Sequence, residues 1–272
     1  EDYILLCFFL GNDFMPHFPI LNIRLNGLDV LLNLYKELFN NKKHFIDDNN
    51  KIIWSNLKSY LTKLAENEKN LFIELHNYRE KFSKKYLPNN TEEEKEKKFM
   101  LTPSLNLNIE NYINPNEDYW EYRYYYSLFN IDIDLCDNII NKISYNYLET
   151  LQWTYYYYSD DCYNWKHYYK YDYAPLLSDL YKHIPYFNSE LIIKQEKEVL
   201  TSNILLAIVL PYNSLNLLPS NIHNYLLKNY ENHYKTDYNI KLSYCKYFWE
   251  THVDFPIIDY ENFINDLKNI ST

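Results

Sequence analysis

Only two of the 272 residues are glycines, and one of them, Gly11, ends the apolar run Ile4-Leu5-Leu6-Cys7-Phe8-Phe9-Leu10 and opens Asn12-Asp13-Phe14-Met15-Pro16. A glycine can take the left-handed conformation that closes a helix, and Pro16 with Pro19 forbids its continuation. Asp13 is thereby placed at the end of an element, where a carboxylate can face a site instead of the core and offer a hard oxygen to a divalent cation. On these three residues alone an ordinary helix-closing turn explains the pattern equally well. The other local acids, Asp47-Asp48, Asp132 with Asp134, and Asp160-Asp161, read as loop and cap residues. The eight histidines form no His-Glu-x-x-His pair, and neither a phosphate-cradling glycine loop nor a nucleophile elbow is present.

The elements that must carry Asp13 are mainly helical. The opening run predicts a buried helix with its acids, Glu1 and Asp2, at the favourable N-terminal end. Apolar spacing predicts further helices over Gly27–Phe39, Ile53–Phe72 and Leu135–Tyr158, the last with Leu135, Ile139, Ile143, Tyr147, Leu151 and Tyr155 on one stripe. Shorter helices are expected at Leu176–His183, Glu190–Leu210 with room for a break, Ser220–Lys228 and Asp259–Ile270, with Asp259 as N-cap. The charged stretch 79–99 reads as a solvated helix or insertion, 101–118 as irregular, and 240–252 as a small hairpin.

Composition sets outer bounds. The net charge of −10 argues against indiscriminate coating of nucleic acid but leaves room for a local basic patch. Cys7, Cys136, Cys162 and Cys245 are too widely spaced for a zinc site and fit buried thiols in a reducing compartment. No apolar stretch is long enough to cross a membrane as a helix. The 32 tyrosines, beside abundant Asn, Lys and Ile, are first a compositional bias and only second a binding surface.

The order of several blocks is far more specific than any one of them. Gly11-Asn12-Asp13-Phe14 with Pro16-His17 and Pro19, the pair Ile23-Arg24, then Tyr147-Leu148-Glu149-Thr150-Leu151-Gln152-Trp153, and then Cys162-Tyr163-Asn164-Trp165-Lys166-His167-Tyr168-Tyr169 through Ala174-Pro175 follow in sequence. Together they resemble the Xrn family of 5′-to-3′ exoribonucleases. In that family the second block reads Tyr-Val/Leu-Glu-Gly-Leu-Gln-Trp and the third Cys-x-Ser-Trp-x-Trp-Tyr-Tyr-x-Tyr-His-Tyr-Ala-Pro. The resemblance implies that Asp13 is the last member of an acidic cluster holding catalytic Mg²⁺, with Asn12 shaping the loop and Gly11 allowing the turn. It also implies that an aromatic of the Trp-x-Trp segment stacks on the 5′ nucleotide. Trp165 stands at the first of those positions and His167 at the second, so Trp165 is the favoured platform with His167 as the substitute, and core packing of Trp165 stays open. Trp153 reads as core, while Lys166, Lys170 and Arg24 are candidate phosphate contacts or plain surface residues. Asp172 replaces the histidine of the family's Tyr-His-Tyr.

The resulting expectation is a mainly α chain: residues 1–25 end an α/β PIN/flap-nuclease-like catalytic core, and 26–272 form an Xrn helical domain with 79–99 as a charged insertion. Its function follows as part of an exonuclease that hydrolyses 5′-monophosphorylated single-stranded RNA to mononucleotides with Mg²⁺, Mn²⁺ being the alternative, in mRNA decay. The remaining acids and the 5′-phosphate ligands are expected from an upstream half in the same or a separate chain, so that these residues alone are inactive. The location is expected to be cytoplasmic, with the nucleus as alternative, and no membrane is involved. The rival reading is a non-catalytic helical module that binds RNA or a protein.

Overall fold

A computed structural model describes residues 1–40, 42–135, 138–195, 200–234, 238–256 and 258–271, so Cys136 lies outside the described residues. The chain divides into two compact units, one of Glu1–Glu196 with Ser243–Trp249, the other of Lys197–Leu242 with Glu250–Thr272.

The first unit is helical. Its helices are α1 (Asp2–Phe8), α2 (Gly27–Phe39), α3 (Trp54–Ala65), α4 (Glu68–Ser83), α5 (Glu92–Met100), α6 (Thr102–Leu105), α7 (Asn108–Ile113), α8 (Trp120–Phe129), α9 (Ile139–Ser159) and α10 (Leu177–Leu180). The longest, α9, runs through the core: Ile143, Tyr147, Leu148, Leu151 and Tyr155 are all buried, at about 1.5–3 kcal/mol of favourable transfer per fully buried apolar side chain. Helix α10 packs against α3 and α9, and α7 against α8. Buried polar side chains tie the remaining backbone in. Asp2 accepts from the Phe45 and Ile46 N–H groups at 3.0 and 3.2 Å and from the Tyr35 hydroxyl, fixing α1 against the loop after α2. Glu68 accepts from Leu177 N (2.6 Å) and Ser178 N (2.9 Å), filling two N–H groups at the start of α10.

The second unit is smaller, with α11 (Ser202–Val209), α12 (Ser220–Asn229) and α13 (Tyr260–Ser271) around a core of Ile204, Ala207, Leu215, Ile222, Leu226, Phe263 and Leu267. Strands β1 (Ile240–Lys241) and β2 (His252–Val253) pair antiparallel, Ile240 opposite Val253. Asp259 accepts from the Glu261 and Asn262 N–H groups, the N-cap expected of it.

Several sequence expectations need correction. The helix drawn over 53–72 is two, separated at Glu66-Asn67, where Lys63 pairs with Glu66 and no proline or glycine marks the break. The stretch 101–118 is not irregular throughout, because Pro103 sits in the first turn of α6 and α7 follows. Helix α9 starts at Ile139 after Asn138 in the left-handed region (φ 60°), leaving Leu135 81% exposed and off the stripe. Described residues 190–195 are not helical. Gln152 on α9 accepts from the Leu191 and Ile192 N–H groups at 2.7 and 3.1 Å, which claims donors that a helix would need. The charged stretch does contain a solvated helix, α5, with a Thr91–Glu94 capping box, but its first residue, Arg79, is buried and ion-paired with Glu110.

Candidate functional site

The turn after α1 is built as its residue types require. Gly11 has φ +88°, and a Cβ there would stand 3.0 Å from His17 Cβ, so both conformation and space call for glycine. Asn12 Oδ1 accepts from the N–H groups of Phe14 (2.9 Å) and Met15 (3.1 Å), curling the chain about its own side chain. Asp13 at the apex is exposed and makes no hydrogen bond or ion pair with any described residue. Phe14 turns the other way and anchors the turn: its ring meets Trp153 edge-on at 5.0 Å and Tyr157 at 5.1 Å, both on α9.

Trp153 links that turn to the segment after α9. Its Nε1 donates to Asn164 O at 2.8 Å, and Lys170 N donates to Asn146 Oδ1 at 3.0 Å, so the segment is pinned to α9 at both ends. Between the pins Asn164 Oδ1 accepts from Lys166 N at 2.8 Å, a side-chain-closed turn that turns Trp165 outward. Trp165 is 63% exposed, which removes core packing as its role. His167 turns inward, with its ring 5.8 Å from that of Trp153. The Thr150 hydroxyl donates to Asn146 O (2.8 Å), so toward His167 Nε2 (2.9 Å) it can only accept. This fixes the neutral tautomer with hydrogen on Nε2, and burial followed by the Lys170 charge pushes the imidazole down to about pKa 4.

Two of the positions at which this chain departs from the motif, Thr150 for glycine and His167 for tryptophan, are therefore hydrogen-bonded to each other. A smaller ring makes room for a larger residue opposite, and the hydroxyl satisfies the imidazole. Trp153 is buried, as its spacing on α9 predicts. Phe14, Trp153 and His167 thus form one connected group of rings, with Asp13 next in sequence to Phe14 and Trp165 next to Asn164, which Trp153 holds. Lys166 is exposed next to Trp165. Arg24 projects toward other rings, its guanidinium 5.6 Å from the Tyr247 centroid and 5.7 Å from that of Trp249, which stack on each other. Sequence reasoning missed Tyr157 and the Thr150–His167 bond. Only the i, i+4 spacing of Trp153 and Tyr157 could have signalled the former.

A divalent cation fits here only in part. Asp13 offers an open, hard oxygen donor, yet no group of three or more His, Cys, Asp or Glu among the described residues is placed to hold a metal ion. The turn holds one such donor and not a set of them. The smaller acids serve structure, as expected: Asp47 accepts from Asn49 N and Lys51 N, Asp132 from Asp134 N, and Asp161 from Cys162 N.

A helical body with this turn and this aromatic segment defines a class, and comparison with known proteins defines it independently. The chain matches the family described as the Xrn1 helical domain over residues 1–114 and 108–272, and it belongs to that family. It is similar to 5′-3′ exoribonuclease 1 of Homo sapiens, 27% identical over 311 aligned residues that cover 98% of this chain and 18% of the relative. It is similar also to 5′-3′ exoribonuclease 2 of Gallus gallus, 23% identical over 66% of this chain and 25% of the relative. A shorter match, 35% over 72 residues, is to 5′-3′ exoribonuclease 2 of Arabidopsis thaliana. The chain spans about a fifth to a quarter of the length of the human and chicken relatives.

Proposed function

We propose that this chain is the helical part of the catalytic region of an Xrn-type 5′-to-3′ exoribonuclease acting on 5′-monophosphorylated single-stranded RNA, in the cytoplasmic turnover of decapped mRNA. The observation that carries this reading is that one buried indole, Trp153, holds the chain neighbours of two open groups: Phe14 next to the unpartnered carboxylate of Asp13, and Asn164 next to the exposed indole of Trp165. Hydrolysis at one phosphodiester needs both functions close together, a grip on the terminal nucleotide and a metal-bearing carboxylate beside the bond to be cut. Trp165 supplies the grip in a form that no base sequence restricts, since every base has a π-face. Lys166 and Arg24 contribute positive charge toward the phosphates. His167, neutral and bonded to Thr150, braces the Trp165 turn and is not itself the platform. Asp13 contributes one oxygen ligand to Mg²⁺. When bound, Mg²⁺ neutralises charge on the phosphate oxygens and acidifies a water.

The test is Asp13→Asn in the full-length protein. Mononucleotide release from 5′-monophosphorylated RNA should be abolished, while melting temperature and RNA affinity in EDTA stay unchanged, because the lost charge touches no described residue. Retained turnover would remove Asp13 from the mechanism. Intact RNA binding in a parent protein that hydrolyses nothing would favour the non-catalytic module.

A further inference from the structure

We infer that Tyr157 is a second stacking face for the RNA, braced by the turn that carries Asp13. Trp153 has two ring neighbours besides Phe14. They are Tyr157, stacked on it at 5.3 Å and 14°, and His167, at 5.8 Å and 33°. Trp153 is buried and His167 is held by Thr150. Tyr157 is the open ring of the three, 43% exposed. More exposed tyrosines exist, Tyr86, Tyr119 and Tyr186 among them, but Tyr157 differs in its backing. One face lies on a buried indole, Phe14 braces it at 5.1 Å, and Tyr158 meets it at 87°. A ring already fixed by its neighbours loses little rotamer freedom on binding, which is the condition for an aromatic contact to yield net affinity.

Position selects the ligand. Phe14, which braces Tyr157, is the residue next to Asp13, so a flat apolar group lying on Tyr157 is beside the carboxylate at the turn's apex. A nucleobase has this shape, and its phosphate carries the charge that a metal-bearing carboxylate site would attract. Trp165 and Tyr157 then contact different nucleotides of one strand. This inference rests on the proposed function. It goes further in assigning a residue, and with it a second nucleotide subsite, to the turn itself.

The experiment uses the full-length protein in EDTA, with 5′-monophosphorylated RNA carrying 2-aminopurine at successive positions, whose fluorescence is quenched by stacking. Tyr157→Leu, which fills space without a π-face, should weaken binding about 5- to 100-fold and relieve quenching at one position. Trp165→Ala should relieve it at another, and Tyr157→Phe should behave as the parent. Melting temperatures of the three variants show whether each is folded. Parent-like affinity and quenching in folded Tyr157→Leu would overturn this inference alone. A parent that binds no RNA would overturn it together with the proposed function, and quenching lost at the same nucleotide in both variants would overturn the second subsite.

Discussion

The Thr150–His167 pair is a compact compensation. Its energetic signature should be coupling: Thr150→Val, His167→Phe and the double variant, followed by urea unfolding, should give an interaction energy of about 0.5–3 kcal/mol, and additivity would count against the bond. The same pair has a pH signature. The folded pKa of His167, about 4, lies below its ordinary value, so between pH 4 and 6.5 the unfolded chain binds more protons and stability rises with pH. His167→Gln should flatten that slope when unfolding midpoints are compared at pH 4.5 and pH 7, and an unchanged slope would contradict it. Asp13 was legible from sequence because glycine before it and prolines after it leave few conformations. The outward direction of Trp165 was the favoured reading with core packing left open, because it is decided by a hydrogen bond from its neighbour's backbone to Asn164. The Thr150–His167 contact joins residues 17 apart, neither of which signals anything alone.

Among elements, the decisive contacts are buried charges. Arg79 and Glu110 are 7% and 2% exposed, and the guanidinium also donates to Pro103 O and Cys245 O while Glu110 accepts from Tyr244 N at 2.8 Å. Arg79→Ala leaves Glu110 without a counter-charge and should cost about 3–5 kcal/mol by urea unfolding, and a loss below about 1 kcal/mol would contradict a buried pair. Glu68 behaves oppositely to His167. Burial raises its carboxyl to about pKa 7 against the pull of the two α10 N–H groups. Between 4.5 and 7 the folded chain therefore binds more protons, and stability falls as pH rises. Glu68→Gln should remove that fall and keep an acceptor for α10. Glu68→Ala should lose about 1–3 kcal/mol by orphaning both donors. Periodicity located α2 with its bounds, and the C-terminal end of α9 to within a residue, because tertiary packing agrees with local preference there. It failed at 190–195, where Gln152 takes the backbone donors, and at Glu66-Asn67, where no residue with special backbone freedom announces the turn.

For the whole molecule, the described residues supply one exposed acid beside the aromatic cluster, so the purified 272-residue chain should release no mononucleotides at any Mg²⁺ or Mn²⁺ concentration. Hydrolysis that survives Asp13→Ala would place the active site elsewhere. Family membership was readable because four motif blocks keep their order over most of the chain. The division into two units was not, since composition hardly changes at 196–197 or 242–243. That division has a consequence for synthesis. The first unit's core is completed by Ser243–Trp249: Tyr244 packs on Phe72 and Tyr124, and Cys245 O accepts from Arg79, 166 residues earlier. A ribosome adding about 5–20 residues per second reaches Tyr244 roughly 7–27 s after it has made Glu110. During that interval the charges can meet, but the aromatic lid above them does not yet exist, and all of the second unit's first segment must emerge before it does. A nascent chain stalled before residue 243 therefore presents an open aromatic core, and such truncated products are expected to be substrates for chaperones and proteases.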